Sequence, residues 1–409
     1  MGQSPERPPL RARPESEQER SVSRPSSIFF ATIAAGGGHV ATARAMAESV
    51  EELSQGRVTA RVSDVMAEFG PQRMDAQHKS TWRWMLRYPR TVRSGQRIID
   101  AVPGAVVAWQ RVFLDDFARR LATTLGELAP DLVVGNHGWL ATALTRAQRR
   151  YGLRTPVLSY LTEPLDANAL WAEPRVERAL AASRAARDDL VRLGVPDTLI
   201  DIVGYPVQRR FRHAPERADA RRGLGLEPRF TCLVSLGAEG VAGNPADVVG
   251  ALAGTGAQTV IIAGRNLRLA RELEAAAAGT TGVHVRGFVE DMERYVAAAD
   301  VFVGKAGPAS VMETLAVGRP LLLTAYAGLN ERRVAEFVES RGLGKLVPRA
   351  RDIAVEVMRL QQDAGLRLDI EARIGALGFD RMADGIGRYL LHYAESREPP
   401  APLGTWELA

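Results

Sequence analysis

The sequence predicts an α/β protein built of two doubly wound domains, and three observations carry that prediction. At 409 residues the chain exceeds what one hydrophobic core normally supports. Short apolar runs alternate with helical patterns, the signature of parallel strands covered by helices. The rhythm fades once, over 205–229, where Gly, Pro and Arg dominate, and then restarts.

The elements follow in order. Residues 1–25 hold five prolines and five arginines without apolar periodicity, which predicts a disordered tail. A first domain over 26–206 opens with a strand at 28–34, a helix at 40–53 and a strand at 58–62, with further strands at 132–135 and 157–161. A second domain over 207–379 restarts with strands at 231–236, 259–263, 284–286, 301–303 and 320–324. A last helix at 380–395 is expected to rejoin the first domain, followed by a tail over 396–409. Two doubly wound domains place the C-terminal ends of their strands, and hence their ligands, along a shared interdomain cleft.

Composition narrows the function. No run reaches the roughly 18 to 20 apolar residues that span a bilayer, and the first 25 residues contain no apolar segment like that of a signal peptide. The chain is therefore expected in the cytosol. The formal charge is +5, and Lys79, Lys305 and Lys345 are its only lysines, so the basic character is almost all arginine. No nucleic-acid-binding motif accompanies the pI near 9.6, which points instead to an anionic membrane surface or an anionic ligand. The single cysteine, Cys232, lies in an apolar run and reads as a buried strand residue; no disulfide framework or zinc signature is present, and neither metal nor cofactor is expected.

Two segments carry chemistry. Ala35-Gly36-Gly37-Gly38-His39 sits between the first predicted strand and an Ala-rich helix. Glycines there permit a tight turn and close approach, and the free amides of a helix start favour negative charge. His39 at that cleft mouth is placed to take a proton near neutral pH, against the plainer reading of a satisfied polar residue. The second segment runs from Val301 through Lys305, Ala306, Gly307, Pro308 and Ser310 to Glu313, again strand, small-residue turn and helix. Its amides suit a diphosphate, and Glu313 can accept the hydroxyls of a ribose.

These segments do not stand alone. With Trp84-Met-Leu-Arg87-Tyr-Pro89-Arg90, Leu161-Thr-Glu163-Pro, Trp171-Ala-Glu-Pro, Val203-Gly-Tyr-Pro206, Ser235-Leu-Gly237-Ala-Glu239-Gly, Ile262-Ala-Gly-Arg265-Asn and Gly287-Phe288-Val289-Glu-Asp-Met, they form an ordered series from about 28 to about 346. In that series the chain resembles glycosyltransferase family 28, most closely its branch of monogalactosyldiacylglycerol synthases and processive diacylglycerol glucosyltransferases. The resemblance implies a GT-B fold of two Rossmann-like domains and inverting transfer of a hexose from a UDP-sugar to a hydroxyl, without an obligatory metal. Position by position, it implies that Phe288 and Val289 offer backbone groups to uracil, that Gly307 to Ser310 face the diphosphate and that Glu313 holds the ribose. Gly38, Gly237, Glu239, Arg265, Lys305 and Ala306 would belong to the same pocket, and His39 would lie opposite, near the acceptor hydroxyl.

The chain departs from the family pattern at three places. Leu329 and Asn330 stand where the family carries Gln and an acidic residue that bond the donor sugar, which leaves the sugar open. Glu163 stands for an Asp, and Gly138 for the Pro of a His-Pro pair, so that His137 ranks below His39. The base is His39 or one of the nearby carboxylates Glu163 and Asp166.

Between Lys79 and Arg111 lie seven basic residues and one acidic residue, interleaved with Trp82, Trp84, Tyr88 and Trp109. Arg83 and Arg87, then Arg90, Arg93 and Arg97, recur at helical spacing on either side of Pro89, which suits an anionic interface; an Arg-rich solvated helix is the alternative. The expected partners are a UDP-sugar, a lipid or other hydroxyl acceptor and an anionic membrane at the inner face of the cell, with no nucleic acid. A soluble natural-product acceptor, a UDP-sugar 2-epimerase and a non-catalytic nucleotide-sugar binder remain as alternatives.

Overall fold

The structure, a computed structural model, describes residues 26–34, 37–87, 89–235, 245–326 and 328–401, with the backbone alone for 82–87, 89–93 and 245–246. The tail expected over 1–25, the end of the tail expected over 396–409, Gly36, Tyr88, Gly237 and Glu239 lie outside the described residues, as do the side chains of Trp82, Arg83, Trp84, Arg87, Arg90 and Arg93.

Two six-stranded parallel sheets make up the architecture, as the alternating rhythm predicts. The first contains β1 (Ser26–Thr32), β2 (Val58–Asp64), β3 (Leu132–Gly135), β4 (Val157–Tyr160), β5 (Arg178–Ala181) and β6 (Ile200–Ile202), in the order β2-β1-β3-β4-β5-β6. The second contains β7 (Thr231–Ser235), β8 (Gln258–Ile262), β9 (Val283–Arg286), β10 (Val301–Lys305), β11 (Leu321–Ala325) and β12 (Gly344–Leu346), in the order β12-β11-β10-β7-β8-β9. Strand order reverses between β1 and β3 in one sheet and between β7 and β10 in the other. Ligands of such sheets bind beyond the strand ends at those reversals. The glycine turn before His39 follows β1, and the Ala306-Gly307 turn follows β10, so both chemical segments fall at switch points.

Period-2 alternation in β1 explains how its sheet is covered on both faces. Phe29 and Ala31 pack with Phe117, Leu121, Leu125 and Leu140. Ile28 and Phe30 face the other way, against Met46 and Val50 of the helix Gly38–Ser54 and against Ile386, Tyr389 and Leu390. Those last three belong to the helix Phe379–Ser396, which follows the second sheet in sequence but packs on the first. Gly387 permits that approach, because a Cβ there would lie 2.6 Å from Leu53 and 3.1 Å from Ser49. Tyr389 donates to Asp201 at 2.6 Å and Tyr393 to Glu177 at 3.0 Å, fastening this helix to the edge of the sheet. Cys232 is buried in β7 among the core of the second sheet.

Between β2 and β3 the chain inserts the helices Gln72–Arg87, Pro89–Asp100, Pro103–Phe113 and Asp115–Leu128. Pro89 opens one of them, where its missing N–H costs nothing. The basic segment is therefore divided at that proline into two helices.

Candidate active site

The starts of two helices meet across the cleft. Gly38 opens Gly38–Ser54, and a Cβ on it would stand 3.6 Å from the Cβ of Ala309 in the helix Pro308–Ala316. Neither helix has a side-chain N-cap among the described residues, so both present unsatisfied amides at the cleft. Pro308 occupies the first turn of the second helix, with its φ already suited to it.

His39 is held by groups distant in sequence. Its Nδ1 lies 2.9 Å from the Asn136 carbonyl and 3.0 Å from the Thr162 hydroxyl. A carbonyl only accepts, so Nδ1 carries the proton and the lone pair sits on Nε2. The Thr162 hydroxyl in turn donates to Glu163 Oε2 at 3.1 Å. Asn136 fixes the turn by donating from Nδ2 to the His39 carbonyl at 2.5 Å and to Thr42 at 3.2 Å. Burial lowers the His39 pKa to about 4, with His78 adding repulsion against the bond to Asn136, so the ring is neutral at physiological pH.

The carboxylates shift the other way. Burial raises Glu163 to about 7, opposed by hydrogen bonds that include Thr162. Burial raises Asp166 to about 8, with the charge of Glu163 adding to it and Arg333 opposing it. Asp166 Oδ1 has no hydrogen-bond partner among the described residues. His137 caps the helix Gly138–Tyr151 by accepting from the Trp139 amide at 3.2 Å, and its ring lies 4.8 Å from that of His39. His78, 5.3 Å beyond His137, completes a row of three imidazoles. Nothing in the sequence pattern marks His78, which comes from an inserted helix.

On the opposite wall, Lys305 and Glu331 form an ion pair at 2.5 Å, and Lys305 Nζ would lie 3.5 Å from a Cβ on Gly307. Ala306 is buried and its amide donates to Ala325 at 2.8 Å, fixing the turn. Ser310 is half-buried and its carbonyl accepts from Thr314. Arg265 places its guanidinium 3.9 Å from the centre of the exposed Phe288 ring, and Val289 packs beneath against the core. Leu329 and Asn330 begin the helix Leu329–Ser340, and the acidic side chain that reaches the turn is Glu331, one position later. Burial raises Glu313 to about 7, against the charge of Arg210. Tyr205, buried in the interdomain linker, is pushed up by burial first and by the charges of Glu313 and Glu163. Arg333 reaches across to Asp189 at 3.5 Å.

The inserted helices expose Ile98, Val102, Trp109 and Val112, and Arg97 lies beside them. Trp109 stacks on Phe113 with ring centres 4.7 Å apart. Lys79 and Arg111, at the ends of the basic segment, are paired with Asp75 at 2.8 Å and with the buried Glu173 at 2.6 Å.

Two parallel sheets of this order, with a glycine turn at each switch point, define a GT-B protein. Solved structures agree. Anabaena Alr3699/HepE in complex with UDP and glucose is similar at a TM-score of 0.57 and 16% identity, covering 91% of this chain and 100% of that one. UDP-GlcNAc 2-epimerase from Neisseria meningitidis bound to UDP-GlcNAc is similar at 0.57 and 12% identity, covering 89% and 99%. At such identity these likenesses establish the fold.

Residues 247–363 match the family described as "Glycosyl transferases group 1". The chloroplastic monogalactosyldiacylglycerol synthase of Spinacia oleracea is 24% identical over 358 residues, 81% of this chain and 66% of the relative. The processive diacylglycerol beta-glucosyltransferase of Bacillus subtilis (strain 168) is 25% identical over 248 residues, 60% and 64% of the two chains. The resemblance carried by the motifs is thus borne out, and this chain spans just under two thirds of the length of those relatives.

Proposed function

We propose that the protein is an inverting, metal-independent glycosyltransferase that moves a hexose from a UDP-sugar to a hydroxyl of a lipid such as diacylglycerol. The observation that carries this reading is the meeting of two uncapped helix starts, one bearing the neutral His39 and the other flanked by Lys305 and Glu313. One wall suits proton removal; the other suits a nucleoside diphosphate.

In this mechanism the acceptor hydroxyl gives its proton to His39 Nε2 as its oxygen attacks the anomeric carbon. The bond from that carbon to the β-phosphate oxygen breaks on the opposite face, so configuration inverts, and the sugar passes through an oxocarbenium-like state. Charge developing on UDP is met by the amides of Gly307, Ala309 and Ser310, with Lys305 and Arg265 nearby. The imidazolium is stabilised through Nδ1 by the Asn136 carbonyl and, through Thr162, by Glu163 once that carboxyl has ionised. Glu313 accepts from the ribose, and Phe288 and Val289 border the base.

Among the described residues no helix is long and apolar enough to cross a membrane. The exposed Ile98, Trp109 and Val112, at 69%, 51% and 77% accessibility beside Arg97, support peripheral docking on an anionic surface at the inner face of the cell membrane. A second reading, sugar epimerisation, is favoured only by Glu163 and Asp166, whose pKa values of about 7 and 8 suit acid-base work at a sugar carbon. The test is a UDP-release screen across UDP-glucose, UDP-galactose and UDP-N-acetylglucosamine, with and without diacylglycerol vesicles. Transferase activity predicts acceptor-dependent release of UDP from one donor. Conversion of a UDP-sugar in the absence of acceptor would establish the epimerase instead.

A further inference from the structure

The linker joining the two domains passes through a short helix, Arg209–Arg212, whose three arginines face different partners. The first domain grips this helix from Gly38–Ser54: Glu48 accepts from Gln208 Nε2 at 3.0 Å and from the Arg209 amide at 2.8 Å. Arg212 is buried with Glu52 at 3.9 Å and Asp380 at 3.6 Å, and Arg209 lies 3.8 Å from Glu52. Arg210 turns towards the second domain. Its Nη1 donates to the Glu290 carbonyl at 2.6 Å, and Glu293 lies 3.6 Å away. Gln208, already held by Glu48, accepts from Arg210 Nη2 at 3.3 Å. Glu290 directly follows Phe288 and Val289, and the helix Pro308–Ala316 packs against Arg209–Arg212.

We infer that Arg210 is a positioning residue of the nucleotide half-site: from the hinge it fixes the 288–290 loop by its last carbonyl and supplies the positive charge opposite Glu313. This rests on the reading of Glu313 as the ribose ligand. Arg210 touches the loop through the Glu290 carbonyl, so its effect is felt through the loop and through Glu313.

The electrostatics around Glu313 make the role measurable. Burial pushes its pKa to about 7, Glu293 pushes the same way, and Arg210 is the cation opposing them. Tyr205 is the other titratable neighbour, and it stays protonated because burial raises it. On the elements packed against Pro308–Ala316, Glu48 is bound to the hinge, Glu331 to Lys305 and Glu371 to Arg217, His39 is neutral, and Arg44 is exposed. Loss of the Arg210 charge therefore raises the proton affinity of Glu313. A protonated carboxyl gives up acceptor capacity towards ribose hydroxyls, so nucleotide affinity then falls most on the acid side.

The experiment is calorimetric titration of UDP from pH 6 to pH 9 into wild type, Arg210→Gln, Arg210→Lys, Glu313→Gln and the Arg210→Gln/Glu313→Gln pair. Arg210→Gln is expected to weaken UDP binding about threefold to tenfold near pH 6.5, with the loss shrinking towards pH 9. Arg210→Lys restores charge without the planar fork, so it should move the acid limb back towards wild type. In the Glu313→Gln background the pH-dependent part of the Arg210→Gln effect should vanish, and UDP's own phosphate titration cancels in the comparison. A profile for Arg210→Gln parallel to wild type, or an equal pH-dependent loss with and without Glu313, would overturn the inference. Wild-type affinity in Glu313→Gln would instead remove the ribose assignment on which it rests.

Discussion

The two helix starts that face each other across the cleft occur on the same strand-turn-helix scaffold, yet their surroundings differ. At Gly38 the neighbours are ionisable groups, the half-buried His39 and Glu163 and the buried Asp166, and desolvation pulls each towards its neutral form near pH 7. At Pro308 the neighbours are Lys305, ion-paired with Glu331 and partly open to solvent, and Glu313 within the helix, which burial raises to about 7 as it does the carboxylates opposite. Burying a charge costs free energy, and a site that moves protons uses that cost to tune its groups. A site that holds a permanent polyanion gains more from charges that stay ionised. The scaffold supplies free amides to both halves; on the proposed reading what divides them is the side chain beside each turn, a neutral imidazole at Gly38 and a lysine at Pro308.

The severest loss is expected of His39→Ala. It should cut turnover about a hundredfold to ten-thousandfold while UDP affinity stays within a few-fold of wild type, measured by initial rates and calorimetry. A mutant that turns over nearly normally would move the base to Glu163 or Asp166. On the other wall, Glu313→Ala should weaken UDP binding by about 1.5 to 3 kcal/mol through lost charge-assisted bonds to ribose. Unchanged binding would leave the second half-site as a phosphate cradle alone.

Glu163→Gln probes the tuning itself. Glu163 is raised to about 7, so its ionised form, which supports the imidazolium through Thr162, gains population as pH rises through 7. The turnover of wild type should therefore rise across that window. The Gln variant should lose about threefold to tenfold at pH 8 and show no such limb. A limb that persists in the variant would assign it to Asp166, raised to about 8.

What the sequence disclosed follows from how local each feature is. The turns after β1 and β10 were legible because an apolar run, small residues and a helix follow one another within about fifteen positions. β5 and β6, four and three residues long, carry too little periodicity to stand out, and β6 closes an edge. The partners of His39 lie 97 and 123 residues away, so no spacing rule joins them. Arg210 lies in the stretch that reads as a break, where weak periodicity marks a boundary but hides a hinge that grips both domains. The departure at Leu329 and Asn330 looked like loss of an acidic group, whereas the first turn of that helix brings Glu331 to the same wall.

Beside the Gly38 half lies the surface where Arg97 stands with the exposed Ile98, Trp109 and Val112. With the lipid acceptor proposed above, this half, and not the half proposed to hold the nucleotide, faces the bilayer. A single basic residue near an anionic surface contributes about 1 kcal/mol, screened within a Debye length of about 8 to 10 Å at moderate salt. Arg97→Ser should therefore lower co-sedimentation with anionic vesicles by roughly fivefold at low salt, and by less as salt rises. UDP affinity should stay within a few-fold of wild type, because Arg97 is exposed and it is its neighbour Gln96 that faces Gly328 on the second domain. Trp109→Ala should weaken vesicle binding equally at low and high salt, since apolar insertion is not screened. Equal partition of wild type and both variants at low salt would take the membrane away from this face, leaving Trp109 and its stacked Phe113 to a soluble acceptor.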